Sequence, residues 1–131
     1  MKKVYREDIN EELQHLYTDN KFDIKIHRNE VMSILNNRDF LYMNQFIVNE
    51  NNSVAKTTNL ILDSFSREFK LKNINNILMH FHISKKINIS TILDESFYTY
   101  KERIRYKANI YLGVSYDESL PKNYVKATVL I

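Results

Sequence analysis

The chain has 131 residues, 44% of them apolar, with nine Tyr and seven Phe, no Trp and no Cys. This is the size of one domain with a sizeable core, and the lack of Cys excludes a disulfide framework or a thiolate metal site. A formal net charge of +3 gives little ground for an anionic partner, and no stretch approaches the ~20 apolar residues of a membrane helix.

The predicted elements begin with a helix over residues 5–18, because Ile9, Leu13, Leu16 and Tyr17 recur at three- and four-residue spacing. Two lysines near the start have no apolar run behind them, so no signal peptide is expected and the location is read as cytoplasmic. Phe22 to Asn29 is short and irregular. Asn29 is the expected cap of a helix over 30–36, with Val31, Ile34 and Leu35 inward. The apolar and aromatic run Asp39 to Val48 reads as a strand, and Asn49 to Ser53 as a loop ending in a capping Ser53. Val54 to Phe69 follows as a helix with Leu60, Ile61, Ser64 and Phe65 on its stripe. Asn75 to Ser84 is a strand. Ser90 is the expected cap of a helix to about Tyr106, with Ile92, Leu93, Phe97 and Tyr100 inward. Two strands close the chain, and between them lies its one Pro, Pro121; its one Gly, Gly113, is in the first of the two. No repeat, low-complexity tract or linker breaks the chain, so residues 1–131 are expected to form a single domain. The fold class is α+β: a two-layer sandwich with a four-stranded mixed sheet, parallel crossovers and a final hairpin.

The chemistry-bearing residues are sparse. His80 and His82 are two apart on a predicted strand and so share a face, but spacing identifies no third metal ligand. There is no Gly-rich loop to cradle a phosphate, and Asp94 and Glu95 diverge on a helix. Lys101, Arg103, Arg105 and Lys107 are interleaved with aromatics, yet Glu102 interrupts them and they suit a solvated helix end, so nucleic acid is not an expected partner. No cofactor, metal or catalytic residue is assigned.

One resemblance organises these observations. Ala108-Asn-Ile-Tyr-Leu-Gly113, then Asp117-Glu-Ser-Leu120, then Val125-Lys-Ala-Thr-Val-Leu-Ile131 resembles the end of the C-terminal domain of the bacterial tubulin homologue FtsZ. Phe40 to Asn52, Val54 to Phe65, Asn76 to Ser84 and Thr91 to Arg103 match the family's preceding elements in order, so the resemblance covers about residues 20–131. It implies the tubulin/FtsZ C-terminal fold without the GTPase domain, with residues 1–20 in place of the end of the family's central helix. In that family the loop after the central helix carries Asn-x-Asp-x-x-Asp, which helps the next subunit hydrolyse GTP. Aligned on Val31, the same loop here has Lys25 for the Asn, His27 for the first Asp, and an acid only at Glu30. The resemblance therefore implies a non-enzymatic interaction module for cell division. It would bind or cap an FtsZ-type filament through the loop 23–30, with Lys25, His27, Arg28, Asn29 and Glu30 as partner-binding residues. A self-associating homodimer is the alternative, with a small metal- or nucleic-acid-binding protein behind it.

Overall fold

A computed structural model describes residues 1–18 and 22–131. Strand β1 (Lys2–Tyr5) leads through a 3-10 turn (Arg6–Asp8) to two short helices, α1 (Ile9–Glu12) and α2 (His15–Thr18). Then follow β2 (Phe22–Ile24), α3 (Arg28–Leu35), β3 (Phe40–Asn49), α4 (Ser53–Ser66) and, after a second 3-10 turn, β4 (Asn76–Ser84). A continuous helical segment comes next: α5 (Ile89–Ile92), a π turn (Leu93–Phe97) and α6 (Tyr98–Arg103). Strands β5 (Asn109–Asp117) and β6 (Tyr124–Leu130) complete the chain.

The six strands form one sheet in the order β1-β3-β6-β4-β5-β2. Only β4 and β5 run parallel, joined by the α5–α6 crossover; every other pair is antiparallel. Three expectations are corrected here. The sheet has six strands, not four, because Lys2–Tyr5 pairs with the edge of β3 and Phe22–Ile24 with the edge of β5. Both are too short to announce themselves by alternation. The last two strands are not a hairpin: β6 inserts between β3 and β4, and the connection from β5 passes the end of β4. The helix expected over 5–18 begins only at Ile9 and is interrupted at Leu13, whose φ and ψ of −106° and 10° leave the helical range. Its apolar spacing is nonetheless realised, since Ile9, Leu13 and Leu16 are all fully buried; the side chain of Tyr17 lies outside the described residues.

The sheet separates two apolar clusters. On one face Ile77, Met79, Phe81 and Ile83 of β4 and Val125, Ala127 and Val129 of β6 pack against α4 and the α5–α6 segment. On the other, Leu78, Leu130, Met43, Leu41 and Val4 pack under α1, α2 and α3. Burial on both faces explains why β6 is an almost uninterrupted apolar, β-branched run. Each large side chain so buried stabilises the fold by roughly 1.5–3 kcal/mol. The layers are therefore helix, sheet, helix, where two layers were expected. Among the described residues the second helical layer leaves part of its sheet face open. Ile47 of β3, on the same face as Met43, is 62% exposed.

Local details shift the expected helix faces. Asn52, with φ 59°, and not Ser53 precedes α4, and Leu62 is buried where Leu60 was expected, Leu60 being exposed. The side chain of Asn88, not Ser90, caps α5 by accepting from the Ser90 amide at 3.0 Å. In the crossover segment Ile92, Ser96, Tyr100 and Ile104 are all fully buried. An inward residue at every fourth position drifts around a regular 3.6-residue helix, and the wider π turn over Leu93–Phe97 brings the stripe back in line. Leu93 and Phe97 are thereby only half-buried.

Candidate functional site

Two regions of the surface carry polar groups in a defined arrangement. The first is the loop and first turn of α3. His27 occupies the position before α3, and the Glu30 carboxylate accepts from the His27 amide at 2.8 Å. This is the acid half of a capping box, two residues earlier than the Asn29 cap that the sequence suggested. Glu30, the one acid retained in the loop, is thus engaged in starting the helix. Arg28 Nε donates to Asn10 Oδ1 of α1 at 2.7 Å, and the Asn29 carbonyl accepts from Ser33 Oγ at 2.8 Å. Lys25, His27, Arg28 and Asn29 are exposed, so the N-terminal helices flank this loop without covering it. Ile26, between them, is fully buried. It lies over Gly113 of β5: a Cβ there would fall 2.6 Å from Ile26 Cδ1, closer still to its Cγ1, and 3.2 Å from His80 Cδ2. The single glycine serves a close packing contact, not a turn, and it fixes the loop against the sheet. Turn conformations with positive φ are taken instead by Asn36 and Asn52.

The second region lies on the sheet face beside α2. Three successive rows cross it on one face. Met43, Leu130, Leu78 and Tyr111 form the first, Gln45, Thr128, His80 and Gly113 the second, and Ile47, Lys126, His82 and Ser115 the third. The first row is core; the next two turn polar. Ser115 Oγ lies 2.8 Å from His82 Nδ1 and 3.1 Å from His80 Nε2, so one hydroxyl joins both imidazoles. Gln45 Nε2 donates to Thr128 Oγ1 at 3.1 Å. His15 of α2 sets its ring edge-on to His80, centroids 6.5 Å apart. His15, His80, His82, Lys126 and Thr128 line a cavity of about 220 Å³. Burial, first, and then the Lys126 charge lower the His15 pKa; a hydrogen bond to the Glu12 backbone opposes this, and His82 adds to the lowering.

The sequence placed His80 and His82 on one face, and so they are. It missed Ser115, Thr128 and Lys126, which strand order brings to the pair, and His15, which comes from α2. Among the described residues no three His, Cys, Asp or Glu side chains are placed to hold a metal ion. The basic run after Tyr98 is partly engaged: Lys101 lies 6.0 Å from the Phe97 ring centre, and Arg105 donates to Asn75 Oδ1. No helix among the described residues is long and apolar enough to cross a membrane.

No protein-family model and no curated protein matches the sequence. Solved structures do match the fold. A point mutant of FtsZ from M. jannaschii superposes with a TM-score of 0.73 at 18% identity, over 95% of this chain and 36% of that one. An empty FtsZ dimer from M. jannaschii gives 0.72 and 18% over 95% and 35%. CetZ1 from Haloferax volcanii, a GDP-bound monomer, gives 0.55 and 8% over 81% and 33%. The chain spans about a third of the length of these proteins. The sheet, its two helical layers and this superposition together identify an FtsZ C-terminal-domain-like fold.

Proposed function

We propose that the protein is a non-catalytic interaction module that binds an FtsZ-type filament subunit through the loop before α3 and the first turn of that helix. The observation that carries this reading is the exposure of Lys25, His27, Arg28 and Asn29 on a segment anchored from beneath by Ile26. A preorganised, exposed loop on a rigid support loses little conformational freedom on docking. The engagement of Glu30 in capping α3 supports a contact role over water activation, because its carboxylate already accepts a backbone amide. Mixing the purified protein with FtsZ from the same organism and GTP tests the proposal. Co-pelleting with the polymer, and lower light scattering at substoichiometric amounts, are expected of a filament-end binder. Unchanged assembly with no protein in the pellet would end the proposal.

Self-association is a second reading, favoured by the exposure of Ile47 on β3. Multi-angle light scattering separates it: a monomer mass at micromolar concentration would remove it.

A further inference from the structure

The net charge of +3 is unevenly spread along the chain. Residues 67–76 and 101–107 together hold seven cations against two acids, Glu68 and Glu102, a net +5, so the remaining residues are negative on balance. The two segments are remote in sequence and adjacent in the fold. Lys72 Nζ donates to the Glu102 carbonyl at 2.8 Å, Arg105 donates to Asn75 Oδ1, and the Asn109 amide donates to the Asn75 carbonyl at 2.9 Å. Among the described residues none of the seven cations is paired with a carboxylate. The partners of Lys72 and Arg105 are neutral, so those hydrogen bonds leave the positive charge uncompensated. Cations in the last turn of α6 suit its carbonyl end, but a second basic segment laid against the first adds a repulsion that the fold leaves unrelieved. Beside this patch lies a cavity of about 340 Å³. Tyr42, Phe69, Arg38, Asn73, Asn75 and Asn76 are among its lining residues, and no Asp or Glu is. The Tyr42 and Phe69 rings are half-buried, with centroids 5.4 Å apart. Asn75 Oδ1 is engaged by Arg105, and Asn76 Oδ1 by Asn109 Nδ2 at 3.0 Å, which leaves the Nδ2 of each as a donor.

We propose that this end of the molecule binds single-stranded nucleic acid, with one base in the cavity and the flanking phosphates along the cations. An unstacked base offers a flat apolar face to Tyr42 or Phe69 and edge acceptors to the Asn75 and Asn76 amides, a pairing that suits Asn. Tyr106, 79% exposed between Arg105 and Lys107, gives a second stacking surface within the basic segment. The cations occupy more positions than one phosphate can engage, which favours a strand over a free nucleotide. In a duplex the bases stack on one another and present no free face to a cavity, so a double strand is the poorer ligand. An anionic membrane surface would use the cations alone and leave the aromatic and amide lining without a function.

The test is fluorescence anisotropy of a labelled oligothymidylate and of its RNA counterpart, titrated with the full chain over a series of salt concentrations. Saturable binding of at least one of them is expected at low salt. Its affinity should fall with salt at a logarithmic slope of about 0.7 per phosphate neutralised, and it should exceed that for a duplex of the same length. The double variant Arg103→Gln, Lys107→Gln removes two exposed cations; it should weaken binding by about tenfold or more and flatten the salt slope. Lys56→Gln, at an exposed lysine near the start of α4, should change neither. Tyr42→Leu keeps an apolar side chain without the ring; it should reduce the preference for a single strand and leave the salt slope as it was. Phe69→Leu serves if Tyr42→Leu does not fold. No saturable binding at low salt would overturn the proposal. So would equal affinity of the double variant and the wild type, equal affinity for single and double strands, or binding to phosphatidylserine vesicles without binding to either oligonucleotide. None of these outcomes bears on filament binding by the loop before α3.

Discussion

At the scale of single residues, the least obvious constraint is Gly113. A side chain there meets Ile26 before it meets anything that can move aside cheaply. Gly113→Ala is therefore expected to destabilise the protein by about 1–3 kcal/mol, the usual cost of overpacking, and urea denaturation would register it. An unchanged midpoint would mean that Ile26 is free to lift. Tyr100 presents the opposite case. Its ring is fully buried and burial pushes its phenol pKa up, but no hydrogen bond of good geometry reaches its hydroxyl or that of Ser96. Tyr100→Phe should be neutral or stabilising by on the order of 1 kcal/mol in thermal denaturation, because an unsatisfied buried hydroxyl is removed with no loss of packing. His15 makes the fold sensitive to pH. Its folded pKa lies below the ordinary 6.5, so the unfolded chain takes up a proton first as the pH falls. The stability it contributes is complete above pH 6.5 and is lost as the pH falls through the folded value. His15→Gln should flatten that part of a stability-against-pH curve, and a curve identical to the wild type would refute the assignment.

Among the elements, α3 is short and depends on its start. Glu30→Ala removes the carboxylate that holds the His27 amide and should cost about 1 kcal/mol, seen as a lower melting temperature and faster amide exchange in residues 28–31. What the sequence disclosed at this scale follows from period. The strands over 40–49, 76–84, 109–117 and 124–130 and the helices beginning near 28, 53 and 89 carry apolar residues at the right spacing and were found within a few positions. The edge strands Lys2–Tyr5 and Phe22–Ile24 were not, since three or four residues cannot show an alternation. The π turn was hidden as well: Leu93 and Phe97 satisfy a regular helical stripe, and only the buried Ser96 and Ile104 reveal the wider one. The polar cavity escaped for a different reason. Thr128 and Lys126 reach His80 and His82 only because β6 lies beside β4, where a terminal hairpin had been expected, and His15 comes from α2.

At the scale of the whole molecule, the fold resembles the FtsZ C-terminal domain while the two polar regions sit on separate supports. The loop before α3 rests on Ile26 and Gly113; the cavity is bounded by His15 and the β4–β6 rows. His80 touches both neighbourhoods. Titrating fluorescently labelled protein with FtsZ subunits, and reading anisotropy for the wild type, Arg28→Glu and, as a control outside the loop, Lys126→Gln, tests the central claim. Saturable binding by the wild type, weakened about tenfold or more by Arg28→Glu and unchanged by Lys126→Gln, is the predicted result. No binding by the wild type, or equal binding by Arg28→Glu, would contradict an interaction module that works through this loop.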